Sequence, residues 1–171
     1  MQTLFFAILA ASAVLTSQSK AADVPRVVCD VPPVEYVGEL QSKLSQRAVH
    51  AINLAASSDG KSTAALERLI DPSASFSSGA GDVGLPLASG VAGAIALARE
   101  MKADTFRFVG WDGIPTPVND RCGEQKVDIE FTDTHDGNFF PVTFTFKSGR
   151  IVAAQGWRRS FQSGHITAAR Q

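Results

Sequence analysis

The chain has 171 residues, 44% hydrophobic and 19% charged, with 16 Lys and Arg against 17 Asp and Glu for a net charge of −1. That composition is ordinary for a folded domain and excludes a disordered or fibrous chain. The near balance of charge leaves no field to gather nucleic acid or acidic lipid, and Arg158-Arg159 is the only adjacent basic pair.

The first segment reads as an address. Leu4 to Leu15 is an apolar run of twelve residues, interrupted only by Ser12 and followed by small and polar residues and Ser19-Lys20-Ala21. A run of that length suits the core of a secretory signal and is too short to span a bilayer. Residues 1–21 are therefore expected to be a signal peptide cleaved after Ala21, with export to a periplasm or to the medium. Met-Gln-Thr brings no Lys or Arg ahead of the run, so an uncleaved tail or a lipid-embedded anchor is the alternative. No later segment is apolar enough for a membrane, and none is expected to bind one once the leader is removed.

About 150 residues remain, the size of one domain with one core. Residues 22–35 form an extended, Pro-rich arm, 36–161 the domain, and 162–171 a tail. The two cysteines, Cys29 in the arm and Cys122 in a polar loop, are expected to be bonded in an oxidising compartment. Two buried thiols are the alternative. Two isolated Cys with His50, His135 and His165 scattered between elements offer no metal-ligand spacing, and nothing implies a cofactor.

Val34 to Ala56 is expected to be a helix, because Val37, Leu40, Leu44, Ala48, Ile52 and Ala55 recur at steps of three and four. A second, short helix runs from Thr63 to Ile70 and is stopped by Asp71-Pro72. Ser73 to Gly90, rich in Ser, Gly and Ala, is expected to hold a short strand at Ala74–Phe76 and then a loop. Gly79-Ala80-Gly81 lacks the Lys and the strand–helix context of a phosphate loop. Ser89 caps a third helix with Val91, Ala94, Ile95, Ala98 and Met101 on one face. Phe106 to Trp111 alternates as a strand.

From Val127 to Trp157 the sequence spells a three-stranded antiparallel sheet, turned at Asp136-Gly137 and Ser148-Gly149. Two-residue loops pair Phe131 with Val142, Ile129 with Phe144, Val127 with Phe146, Phe146 with Ile151 and Phe144 with Ala153. All of these share one apolar face. The other face collects Lys126, Asp128, Glu130, Thr143, Thr145, Lys147 and Arg150. The same count pairs Gln155 with Val142, and both Trp157 and Asp133 with Phe140, which puts these polar groups on the apolar face. Asp133, Gln155, Trp157 and Phe140 are thus candidates for the mouth of a ligand pocket, with Asp133 a base if burial raises its pKa. In the other reading, Asp133 merely starts the turn and faces water, while Gln155 bonds to helix ends.

Helices first and strands last is the order of an α+β domain. Three segments, Leu66-Glu67-Arg68-Leu69-Ile70-Asp71-Pro72-Ser73-Ala74-Ser75-Phe76, Gly90-Val91-Ala92-Gly93-Ala94-Ile95 and Phe144-Thr145-Phe146-Lys147-Ser148-Gly149-Arg150-Ile151, resemble the NTF2-like superfamily in their order. That superfamily includes the ketosteroid isomerases and the SnoaL-like cyclases. The resemblance, over residues 36 to 161, implies a cone: N-terminal helices packed on the concave face of a curved antiparallel sheet. It also implies a pocket there, and frequent homodimers formed through the sheet.

Aligned on that resemblance, Ser78 and Val142 stand where the steroid isomerases carry their two acids, and Tyr36 precedes the position of their oxyanion tyrosine. The implied base and oxyanion donor are both missing, which speaks against isomerase chemistry. The leading expectation is an exported domain that binds a small apolar ligand without catalysis. One alternative is a SnoaL-like isomerase, cyclase or dehydratase using Asp133 or Asp82. The other is an interaction module using the polar sheet back around Asp128 and Glu130.

Overall fold

The computed structural model describes residues 28–58, 63–80, 83–110 and 115–160. The expected signal peptide, Asp82, Trp111, His165 and the tail lie outside the described residues.

Helix α1 (Val37–Ser57) buries Leu40, Leu44, Ala48, Ile52 and Ala55, the stripe that the periodicity announces. It starts at Val37 and not at Val34, because Tyr36 is extended (φ −120°, ψ 145°) and bridges to Pro117. Helix α2 (Ala64–Leu69) leads straight into β1 (Ile70–Ala80), which is followed by β2 (Val83–Pro86). The Ser/Gly/Ala segment is therefore a hairpin and not a short strand with a loop. Its weak intrinsic preference is overridden by its neighbours, since β1 pairs with β2 on one side and with the C-terminal strand on the other.

Helix α3 (Gly90–Met101) buries Ala94, Leu97, Ala98 and Met101 against the sheet. Val91 and Ile95, expected on the same face, are only partly buried. Gly93 is what brings α3 so close, since a Cβ there would lie 2.0 Å from the Ala88 carbonyl oxygen and 2.6 Å from Phe76 Cδ2. Strands β3 (Thr105–Phe108), β4 (Gln125–Asp133), β5 (Asn138–Lys147) and β6 (Arg150–Ser160) complete one sheet in the order β2-β1-β6-β5-β4-β3. Every junction is antiparallel except β1–β6.

The two hairpins depart from the counted register in different ways. Asp133 pairs with Asn138, so the β4–β5 loop is Thr134–Gly137 and every partner slides by two: Ile129 faces Val142 and Phe131 faces Phe140. A slide of two leaves each side chain on its face. The β5–β6 turn is as counted, with Lys147 opposite Arg150, and Ser148 (φ 52°) and Gly149 (φ 84°) both left-handed. Beyond it, however, Phe146 pairs with Ile151 while Thr145 pairs with Ala153, so Val152 bulges. A one-residue bulge exchanges the faces of everything after it.

Cys29 and Cys122 are bonded, their Cα atoms 5.6 Å apart across 93 residues. The arm is docked as well as tethered. The Asp30 amide donates to the Ser148 carbonyl (3.1 Å), Arg121 Nε to the Val31 carbonyl (3.2 Å) and Arg47 Nη1 to the Gly149 carbonyl (2.7 Å). Arg47 also pairs with Asp30 at 3.2 Å, and Val31 joins the core at 5% exposure.

Candidate functional site

The concave face is the core. Phe131, Phe140, Phe144 and Phe146 are all at most 2% exposed under α1 and α3. Phe140, expected at a pocket mouth, is packed at 1%. Val142, at the position of an acid in the steroid isomerases, is fully buried, and Tyr36 is 45% exposed on the outside of α1's start.

Gln155 and Trp157 are on the opposite, convex face, which corrects the counted expectation. The bulge at Val152 puts Ala154 and Gly156 inward and Gln155 and Trp157 outward. The Trp157 ring lies across two glycines, since a Cβ on Gly79 would meet its Cζ3 at 2.5 Å and one on Gly84 would meet Cη2 at 3.6 Å. Around it the convex face is paired within itself: Arg107 Nε meets Glu130 Oε1 at 2.7 Å, and the Thr143 hydroxyl donates to Asp128.

Asp133 does end β4 on the concave side and is buried at 4% exposure. Its Oδ1 accepts the amides of His135 and Asp136, each at 3.0 Å. That carboxylate builds the four-residue loop, with Gly137 at φ 66° closing it. The Thr134 hydroxyl donates to Asp104, holds that carboxyl below its ordinary range and ties the loop to the start of β3.

Among the clefts that flank the packed cone, two lie beside α1. A cleft of about 100 Å³ between α1, α3 and β3, with Ile52, Met101 and Phe106 on its walls, is too small for more than a fragment. A broad trough of about 460 Å³ runs between the arm and α1, lined by Val31, Pro32, Lys43, Leu44, Gln46, Arg47, His50 and Leu69. Two of its cations are already engaged, Lys43 with Glu39 (3.5 Å) and Arg47 with Asp30.

The candidate rim lies elsewhere, where β1, β2 and β6 run out from under α3, and sequence reasoning missed most of it. Ser78 faces Leu85 across β2 and Gly156 across β6, and Ala80 faces Val83 and Arg158 in the next row. Directly opposed residues share a face, and Ser78 follows Ala74 and Phe76 on the core side of β1. Gly156 has no side chain to fill the row, and Leu97 of α3 sits above it, 3.2 Å from where a Cβ would stand. Ser78 is 3% exposed, and its hydroxyl finds no partner among the described residues. Beside it Leu85 and Val83 are 63% and 61% exposed. The alternating Ser/Gly pattern of β1 was the available signal, but without its strand partners it carries no face.

No family model matches the chain. No curated protein matches it either. Among solved structures it is similar to an NTF-2 like protein of unknown function from Silicibacter pomeroyi, with 17% identity over 71% of this chain and 94% of that one and a TM-score of 0.45. A de novo designed NTF2 fold protein overlaps 68% of this chain and 85% of its own at 12% identity, with a TM-score of 0.42. A protein of unknown function with a cystatin-like fold from Methylobium petroleophilum shares 14% identity over 78% of this chain and 85% of that one, also with a TM-score of 0.42. At such scores the likeness transfers no activity and no residue role. By its own topology, helices laid on one face of an unclosed six-stranded sheet, the chain has an α+β fold, the class that the resemblance implies.

Proposed function

We propose that this domain holds a small, mostly apolar ligand at the concave rim formed by β1, β2 and β6, without transforming it. The observation that carries the reading is the buried, unpartnered hydroxyl of Ser78 beside exposed Leu85 and Val83. A buried hydroxyl without a partner costs about 1–3 kcal/mol, which a ligand oxygen placed against it would recover. Apolar side chains next to one oriented polar group are the ordinary chemistry of a ligand site. Ser78 stands where the resemblance puts a base of the steroid isomerases, and Asp133 is committed to its own loop. The disulfide, and the absence of any helix among the described residues long and apolar enough to cross a membrane, fit an exported binding protein.

Native mass spectra of the protein purified without denaturation test this. The expected result is a reproducible small-molecule adduct that Leu85→Asp removes and Trp157→Ala, on the other face, leaves in place. A bare polypeptide mass together with no uptake of added apolar ligands would refute it. Self-association through the convex face is less supported, since Asp128 and Glu130 are already paired within the sheet.

A further inference from the structure

Among its described residues the rim carries one full charge. Arg158 follows Gly156 on β6 by two residues and pairs with Ala80, so it lies on the concave side in the row that also holds Val83. It is exposed and makes no ion pair among the described residues, unlike Arg47 and Arg107. Among the described strand residues, the nearest carboxylate on this face by register is Asp133, on β4. It is separated from β6 by β5, and its Oδ1 is turned to the loop amides. The next residue, Arg159, alternates to the convex side opposite Phe139.

We infer that the ligand of this rim is an amphipathic carboxylic acid, its carboxylate on Arg158 and its apolar body over Ala80, Val83 and Leu85. The inference rests on the proposed ligand site and adds the chemical class of what occupies it. A guanidinium presents a fork of donors that matches a carboxylate. An uncompensated cation at the edge of an exposed apolar strip selects a molecule with one anionic end and one apolar end. Ser78 lies two residues inward of the Ala80–Arg158 row, about 7 Å along the strand. It therefore bonds a second oxygen on the body of the acid and not the carboxylate itself. No covalent step is involved.

The matched probes are octanoate and methyl octanoate, which share a chain and a carbonyl and differ in charge. Binding of each to the disulfide-bonded protein is measured by titration calorimetry at pH 7.5 and low salt. The expected result is a preference of about tenfold for octanoate, the worth of one charge-assisted hydrogen bond. Arg158→Gln should abolish that preference while the ester still binds. Arg159→Gln, which removes the same charge from the neighbouring convex position, should keep it. Equal affinity for acid and ester in the parent protein overturns the acid and leaves the ligand site standing. So does a preference that survives Arg158→Gln, or one lost equally in Arg159→Gln. Failure of both probes to bind removes the ligand site and the acid together.

Discussion

A single hydroxyl separates the two things Ser78 can do. Ser78→Ala removes a buried polar group that has no partner among the described residues, so the protein should gain about 1 kcal/mol in urea unfolding while ligand affinity falls. Stability and binding moving in the same direction would show that the hydroxyl is satisfied within the fold. Asp133 gives the opposite pattern. Asp133→Asn keeps an oxygen for the His135 and Asp136 amides and should cost little, whereas Asp133→Ala should cost about 1–2 kcal/mol. Asp71 makes the fold acid-sensitive at one point: the Ser73 hydroxyl, then the Ser73 amide, donate to it, and Arg150 lies near. Together they hold its pKa below the ordinary 3.8. A carboxyl whose pKa falls on folding contributes stability that is complete above its unfolded pKa and lost as pH drops through the folded one. The stability gap between the parent protein and Ser73→Ala should accordingly be constant near neutrality and shrink once the pH falls below 3.8, as followed by denaturation at stepped pH.

Among the elements, legibility followed the strength of the local signal. The α1 stripe and the Ser148-Gly149 turn were readable because periodicity and turn chemistry are local. The Asp136-Gly137 turn misled by two residues, since Asp133 captures two amides and enlarges the loop, yet no side chain changed face. The bulge at Val152 has no residue signature, and it alone moved Gln155 and Trp157 to the convex side and dismantled the expected pocket mouth. Strand β1 was unreadable past Phe76, because Ser77, Ser78, Gly79 and Ala80 become a strand only between β2 and β6. Close helix approach belongs to this scale too. Gly93→Ala should cost at least about 2 kcal/mol, because its methyl would collide with the Ala88 carbonyl and the Phe76 ring, and neither can yield without moving α3. A thermal midpoint within a degree of the parent would contradict that packing.

For the molecule as a whole, the disulfide closes a loop of 93 residues, worth about 4 kcal/mol in the chain-entropy account. Melting with and without a thiol reductant should show a large fall in midpoint, and the double substitution of Cys29 and Cys122 by Ser should reproduce it. An unchanged midpoint would mean that the hydrogen bonds of Asp30, Val31 and Arg47 hold the arm unaided. The position of β6 has an effect of another kind. The last strand among the described residues lies in the interior of the sheet, between β1 and β5, and is the strand that joins the first hairpin to β3–β5. Until β6 is in place, β1 and β2 have no larger sheet to join, and the β1–β6 pairing that supplies it is sequence-distant and parallel, which is slow. Assembly of the full sheet is therefore a late step, and a chain cut before β6 should leave its first hairpin unjoined.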